Sequence, residues 1–316
     1  MIIDIQIRDL MTSCEFINKR TSDFNLYLKR HAFDDFIIKM DKYNLVIQSG
    51  EAITTHSDFF RLYKDNIGID FTYYERTKLR KATRIVLSKV KKSKISQLNP
   101  SYFTNWSFIK ASGALNFGYV YTIGTSIVIP SNKIASMKIN DLAKLLTHEQ
   151  IHIMQRVPEI MTELNQLYLE KFKFIQVPNR DKGQISSFIN QSYTSITNPD
   201  GLQMYGKDVT YVADGFGIAV FKAIPFMGIK HKEEDIKLYI VLCTSGYTPI
   251  HVYLIDDFIK KQIIWEKTIP ICRTCATEET FKYYLTPAMY EIVKQNSYHP
   301  NEIYAEFMAK TIFEKI

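Results

Sequence analysis

Apolar positions along the first hundred residues follow two different periods. The compact apolar run at 43–47 predicts a strand, whereas 58–64 and 73–92 repeat at helical spacing and predict helices. In the second of these, Leu79, Thr83, Val86 and Val90 fall on one face. Asn99-Pro100 predicts a turn. The pattern then shortens to strand-like runs at 106–110, 114–117 and 126–130, punctuated by Gly113, Gly118 and Gly124.

The period lengthens again after residue 138. Asn140 is suited to cap a helix, Asp141 to its positive end, and Leu142, Leu145 and Leu146 begin a buried stripe. This helix is expected to reach about Arg156, where Val157-Pro158 interrupts it, with a second helix over about 159–172. Polar turns and β-rich runs, notably 209–221 and 237–256, fill about 182–268. Residues 300–316 read as a helix with Pro300 in its first turn. The fold class is α+β: an N-terminal α/β region (1–100) packed on a core (101–316) that carries a β-rich insertion at about 182–268.

Composition narrows the class without naming a chemistry. The 316 residues are 46% hydrophobic and 23% charged, as in ordinary globular chains. No apolar run approaches the roughly 18 residues of a membrane span. Asp4, Arg8 and Asp9 break the apolar start, unlike a secretory signal. The expectation is a cytoplasmic protein, or one packaged from the cytoplasm into a virion. Four cysteines (14, 243, 272 and 275) are too few and too scattered for a disulfide framework. Cys272 and Cys275 have C-x-x-C spacing but no second pair, and read as two reduced thiols. The net charge of +7 is concentrated at 76–94, which holds cations such as Arg80, Lys81, Arg84, Lys89, Lys91 and Lys92. A helix with this basic face suits nucleic-acid phosphates. A solvated face accounts for the same charge.

The candidate chemistry is carried by His148-Glu149-Gln150-Ile151-His152. Histidines four apart share a helix face one turn along and can hold one metal ion together. Glu149 beside them is placed as the general base toward a water on Zn2+. A surface helix with two incidental histidines is disfavoured by the apolar neighbours Leu145, Leu146, Ile151, Ile153 and Met154. A catalytic zinc takes three protein ligands. No other histidine follows His152 at short spacing, so the third ligand is expected to be a carboxylate.

With these residues the chain resembles the gluzincin metallopeptidases, in which H-E-x-x-H is joined by a glutamate on a later helix. Asn301-Glu302-Ile303-Tyr304-Ala305-Glu306 is similar to that later element. The resemblance implies a zincin-like fold, Glu302 as third ligand, and Glu306 as the acceptor that braces a ligating histidine. Glu159, Glu163 and Glu170 compete for the ligand role. Glu163 and Glu170 are followed four residues on by Leu167 and Phe174 rather than an acid, and Glu159 follows His152 too closely to turn back. The resemblance also implies an edge strand at 114–117, where Asn116 would bind substrate backbone, next to a strand at 126–129. Tyr205, His251, Tyr290 and His299 are all open as oxyanion stabilisers, Tyr290 and His299 being put forward. The runs 121–129 and 147–156, with Asn198-Pro199-Asp200 and His299-Pro300, are also similar to uncharacterised metallopeptidase-like proteins of large DNA viruses. The implied activity is hydrolysis of peptide bonds, as an endopeptidase. The competing reading is a basic structural or nucleic-acid-associated virion protein whose zinc only steadies the fold.

Overall fold

The computed structural model describes residues 11–40, 42–95, 98–113, 115–167 and 300–314, and the strands at 174–176, 193–195, 211–213, 218–225, 237–243 and 249–254. In chain order, β1 (Ser13–Ile17) leads to α1 (Phe24–Leu28), α2 (Lys42–Ser49), α3 (His56–Asn66) and α4 (Tyr73–Ser93). Strand β2 (Asn105–Ala111) precedes the hairpin β3 (Tyr121–Ile123) and β4 (Ser126–Pro130). Helices α5 (Ser131–Ser136), α6 (Ile139–Met154) and α7 (Pro158–Leu167) follow. Six further strands are β5 (Phe174–Gln176), β6 (Tyr193–Ser195), β7 (Tyr211–Ala213), β8 (Ile218–Pro225), β9 (Lys237–Cys243) and β10 (Pro249–Leu254), and α8 (Pro300–Glu314) comes last. The architecture is α+β with a small mixed sheet and several helices.

The first sheet has the order β1-β2-β4-β3, with β1, β2 and β4 parallel and β3 antiparallel at the edge. Strand β1, from the first hundred residues, pairs directly with β2. Because successive side chains point to opposite faces, Phe108, Ile127 and Ile129 meet Leu79, Leu142, Leu146 and Ile303 of α4, α6 and α8. Ile109 and Val128 point the other way, onto Phe24, Leu28 and Phe59 of α1 and α3. Helices on both faces explain why β4 is buried at every position. The β3–β4 hairpin turns through Gly124 at φ 54, where a Cβ would lie 2.8 Å from the His31 ring. The second sheet is antiparallel, with the order β10-β9-β8-β7-β5 and β6 paired to β8.

Three local expectations are corrected. Residues 43–47 lie within the helix α2, not a strand, since so short an apolar run does not fix its own period. Residues 115–118 form a tight helical turn, not a strand, in which Asn116 is left-handed at φ 48 and accepts from the Tyr119 N–H at 3.0 Å. Asn is among the few residues that take this conformation readily, and the flanking Gly113 and Gly118 leave no length for pairing. The sheet edge is β3 instead. Asn140 sits inside the first turn of α6; the capping position is Lys138, whose carbonyl accepts from Leu142 N–H at 2.9 Å.

Helix α4 begins with a reciprocal cap: Thr72 Oγ1 accepts from Glu75 N–H at 3.2 Å, and Glu75 Oε2 accepts from Thr72 N–H at 2.7 Å. Glu75 also pairs with the buried Lys110 ammonium of β2 at 2.8 Å. Burial pushes the Glu75 carboxyl up, but Lys110 and the Thr72 groups outweigh it and hold it below the usual range. A depressed folded value stabilises the protein above the unfolded pKa of about 4.3 and is lost as pH falls through the lower folded one. Glu75→Gln is therefore expected to cost about 2 kcal/mol at pH 7. Urea melts should show the gap from wild type closing below about pH 4; a gap independent of pH would refute this role for the ion pair.

Candidate metal centre

Helix α6 is fixed on three sides before it presents any chemistry. Gln150 Nε2 donates to the Tyr102 carbonyl at 2.7 Å, which ties the helix to the chain entering β2. Beyond its C-terminus, the buried Arg156 donates from one terminal nitrogen to Thr122 Oγ1 at 2.7 Å and the Thr122 carbonyl at 3.2 Å, on β3. Helix α8 lies antiparallel to α6 and is joined to it at both ends. Gln155 Nε2 donates to the Asn301 carbonyl at 3.0 Å, and Lys144 Nζ donates to Glu314 Oε1 at 2.7 Å. This packing brings the start of α8 onto the histidine face of α6.

Three donor atoms converge there: His148 Nε2, His152 Nε2 and Glu302 Oε2. The nitrogens are 2.9 Å apart, and the carboxylate oxygen lies 3.3 Å from His148 and 3.4 Å from His152. Zinc bonds of ~2.0–2.1 Å in a tetrahedron put ligand atoms about 3.3–3.4 Å apart. Two edges of the triangle already match, and the third is at hydrogen-bond length. Two imidazoles and one carboxylate are also the donor types that suit zinc. The group is enclosed: His148 is 8% exposed, His152 1%, Glu302 4% and Glu149 3%.

Burial and charge pull in opposite directions here. Burial disfavours a charged His148, but Glu302, Glu306 and Glu149 outweigh it and raise its pKa well above the ordinary value. Burial likewise pushes Glu302 up, yet His152 and His148 hold it well below the usual carboxylate range. Glu306 Oε2 is 3.6 Å from His148 Nδ1, on the side away from the other donors, and pairs with Lys310 at 3.2 Å. Its carboxyl is lowered: burial raises it, and His148 and Lys310 overcome that. The arrangement concentrates negative charge around two imidazoles, so a divalent cation would compete with a proton for this site.

Comparison with protein-family models, curated proteins and solved structures gives no match to this chain. Its own geometry is then the sole ground for a functional reading beyond the sequence.

The structure brings His148, His152 and Glu302 together, with Glu149 buried beside them and Glu306 against His148. Glu159 and Glu163 are exposed on α7, which removes them from the competition for the metal, while Glu170 lies outside the described residues. Asn116, in its left-handed turn, offers no edge strand. Strand β3 is fully buried and its Thr122 carbonyl is held by Arg156. His251 lies on β10; Tyr205, Tyr290, His299, Cys272 and Cys275 lie outside the described residues.

One residue escaped the sequence reading. Gln155 Oε1 is 2.8 Å from His152 Nδ1, and its amide donates onward to Asn301. A carbonyl acceptor at Nδ1 fixes the tautomer that turns the Nε2 lone pair toward the metal. The same side chain docks the residue before Glu302, so it aligns two donors at once. The available signal was a polar residue three positions after His152, at the last turn of a buried helix. Gln155→Ala is expected to weaken zinc binding about 10- to 100-fold in a chelator competition. Unchanged affinity would show that packing alone orients His152.

Proposed function

We propose that this chain is a zinc-dependent metallopeptidase of the gluzincin arrangement, with a zincin-like catalytic core. The observation that carries the reading is the triangle of His148, His152 and Glu302 donor atoms, spaced as a tetrahedral zinc requires, with Glu149 next to it on the same helix. When bound, zinc supplies a Lewis acid that polarises a carbonyl and makes water nucleophilic at neutral pH. Glu149 takes a proton from the attacking water and returns it to the departing nitrogen. Gln155 holds His152 in its donor tautomer, and the Glu306 carboxylate, 3.6 Å from His148 Nδ1, supplies negative charge beside that ring.

A second reading, a zinc that only steadies the fold, draws on the enclosure of the donors and the fastening of α6 to α8. Among the described residues, donor number favours the first. Structural zinc sites close with four protein ligands, whereas catalytic sites use three and keep one position open. Three donors converge among the described residues. The test combines metal analysis of the purified chain with a fluorogenic peptide library. One equivalent of zinc and cleavage abolished by 1,10-phenanthroline are expected. Bound zinc with no cleavage of any peptide supports the structural reading, and no bound metal overturns both.

A further inference from the structure

Helix α4 carries a charge pattern that the metal centre does not use. Residues 76–94 hold nine Lys and Arg residues and no Asp or Glu, more positive charge than the net +7 of the whole chain. The single acid of α4, Glu75, is turned inward onto Lys110. Several of the cations are committed to the fold: Lys78 donates to the Ile134 and Ala135 carbonyls, Lys89 lies over the Phe313 ring, and Arg76 over Phe16. Lys81, Arg84 and Lys92 are different, and Arg80, though it also lies over Phe16, stays exposed where Arg76 is half-buried. All four are exposed, and none forms an ion pair among the described residues.

Their spacing makes a stripe. Tyr74, Lys81, Arg84, Ser88 and Lys92 follow one another at steps of seven, three, four and four, which keeps them on one helix face. Buried Leu79, Ala82, Val86 and Val90 occupy the opposite face. The stripe is about 27 Å long at the helical rise. Arg80 is steadied from below, its guanidinium 5.2 Å from the centre of the Phe16 ring. Two tyrosines stand at the start of the helix, Tyr73 84% exposed and Tyr74 65% exposed. Solvated helix faces ordinarily mix both signs of charge and keep large aromatics inward.

We propose that this face of α4 binds single-stranded nucleic acid, its four cations along the phosphate backbone and Tyr73 and Tyr74 stacking on unpaired bases. A cationic track supplies the sequence-independent attraction, and exposed aromatic planes select unpaired bases over a duplex. The proposal does not depend on the metal reading, because none of these residues touches the donor cluster.

The experiment is fluorescence anisotropy of a labelled mixed-sequence 20-nucleotide single strand, titrated with wild-type protein from 50 to 300 mM salt. Four phosphate contacts predict a slope of log affinity against log salt of about −3. The triple variant Lys81→Glu, Arg84→Glu, Lys92→Glu is expected to lose at least 30-fold in affinity and to flatten the slope to about −1. The double variant Tyr73→Ala, Tyr74→Ala is expected to lose about 30-fold or more on the single strand and little on a duplex of the same sequence. Circular dichroism checks that both variants keep their helices, and Lys81→Gln, Arg84→Gln, Lys92→Gln gives a milder form of the same loss. Wild type that ignores the strand at 50 mM salt, equal binding by the triple variant, or binding only to phosphatidylserine vesicles would each overturn the proposal.

Discussion

Glu149→Gln is expected to keep its zinc and lose about 10²- to 10⁴-fold in peptide hydrolysis, the range that a general base contributes. The substitution is nearly isosteric, and Glu149 is buried, so the packing of α6 changes little. What changes is the ability to accept a proton. The three donor atoms belong to other residues, and metal content should stay at one equivalent per chain. Retained zinc matters most here, because it separates a lost proton acceptor from a lost site. Equal kcat/KM for wild type and variant on the same peptide would end the proposed mechanism, whatever the metal content.

Glu302→Ala should have the largest effect on the molecule itself. It removes one of three donors, so zinc affinity should fall by more than the roughly 100-fold seen when a supporting residue is lost. Without metal, it also strips the buried histidines of their closest carboxylate, and breaking such a buried pair costs about 3–5 kcal/mol. The pH dependence gives this a signature. His148 has a raised folded pKa, so its contribution is complete below its unfolded value and lost as pH rises through the folded one. Glu302 has a depressed folded pKa, so its contribution is complete above its unfolded value and lost as pH falls through the folded one. Metal-free wild type and variant should therefore differ most between the unfolded values of about 4.3 and 6.5, and converge on either side in chemical melts. A gap that keeps widening above about pH 7 would mean that Glu302 acts on something other than the histidines.

How much of this was legible in the sequence depended on the distance between partners. His148, Glu149 and His152 were readable because one helical turn is a local rule. Glu302 is about 150 positions further on, and no spacing rule connects it to His152. It entered through resemblance to a family pattern, and the structure places its oxygen 3.3 and 3.4 Å from the two nitrogens. Where the text misled, the elements were short. The run at 43–47 has too few residues to reveal a period, and it lies in a helix. The run at 114–117 looked like an edge strand, whereas the real edge is the three-residue β3, which leaves almost no pattern. Gln155 was invisible for another reason. A polar residue at a helix end reads as surface until its two hydrogen bonds to His152 and Asn301 are seen.

Because Glu302 comes from so far along the chain, a zinc ion held here would also be a cross-link. Joining His152 to Glu302 closes a loop of about 150 residues, and a covalent tie of that span would restrict the unfolded chain by about 5 kcal/mol. Closure entropy grows only with the logarithm of loop length, so each doubling adds merely about 0.6 kcal/mol. The segment between the two helices can therefore lengthen or shorten with little penalty, provided its ends still deliver α8 to α6. The metal would hold that span as a clasp holds a strap of adjustable length.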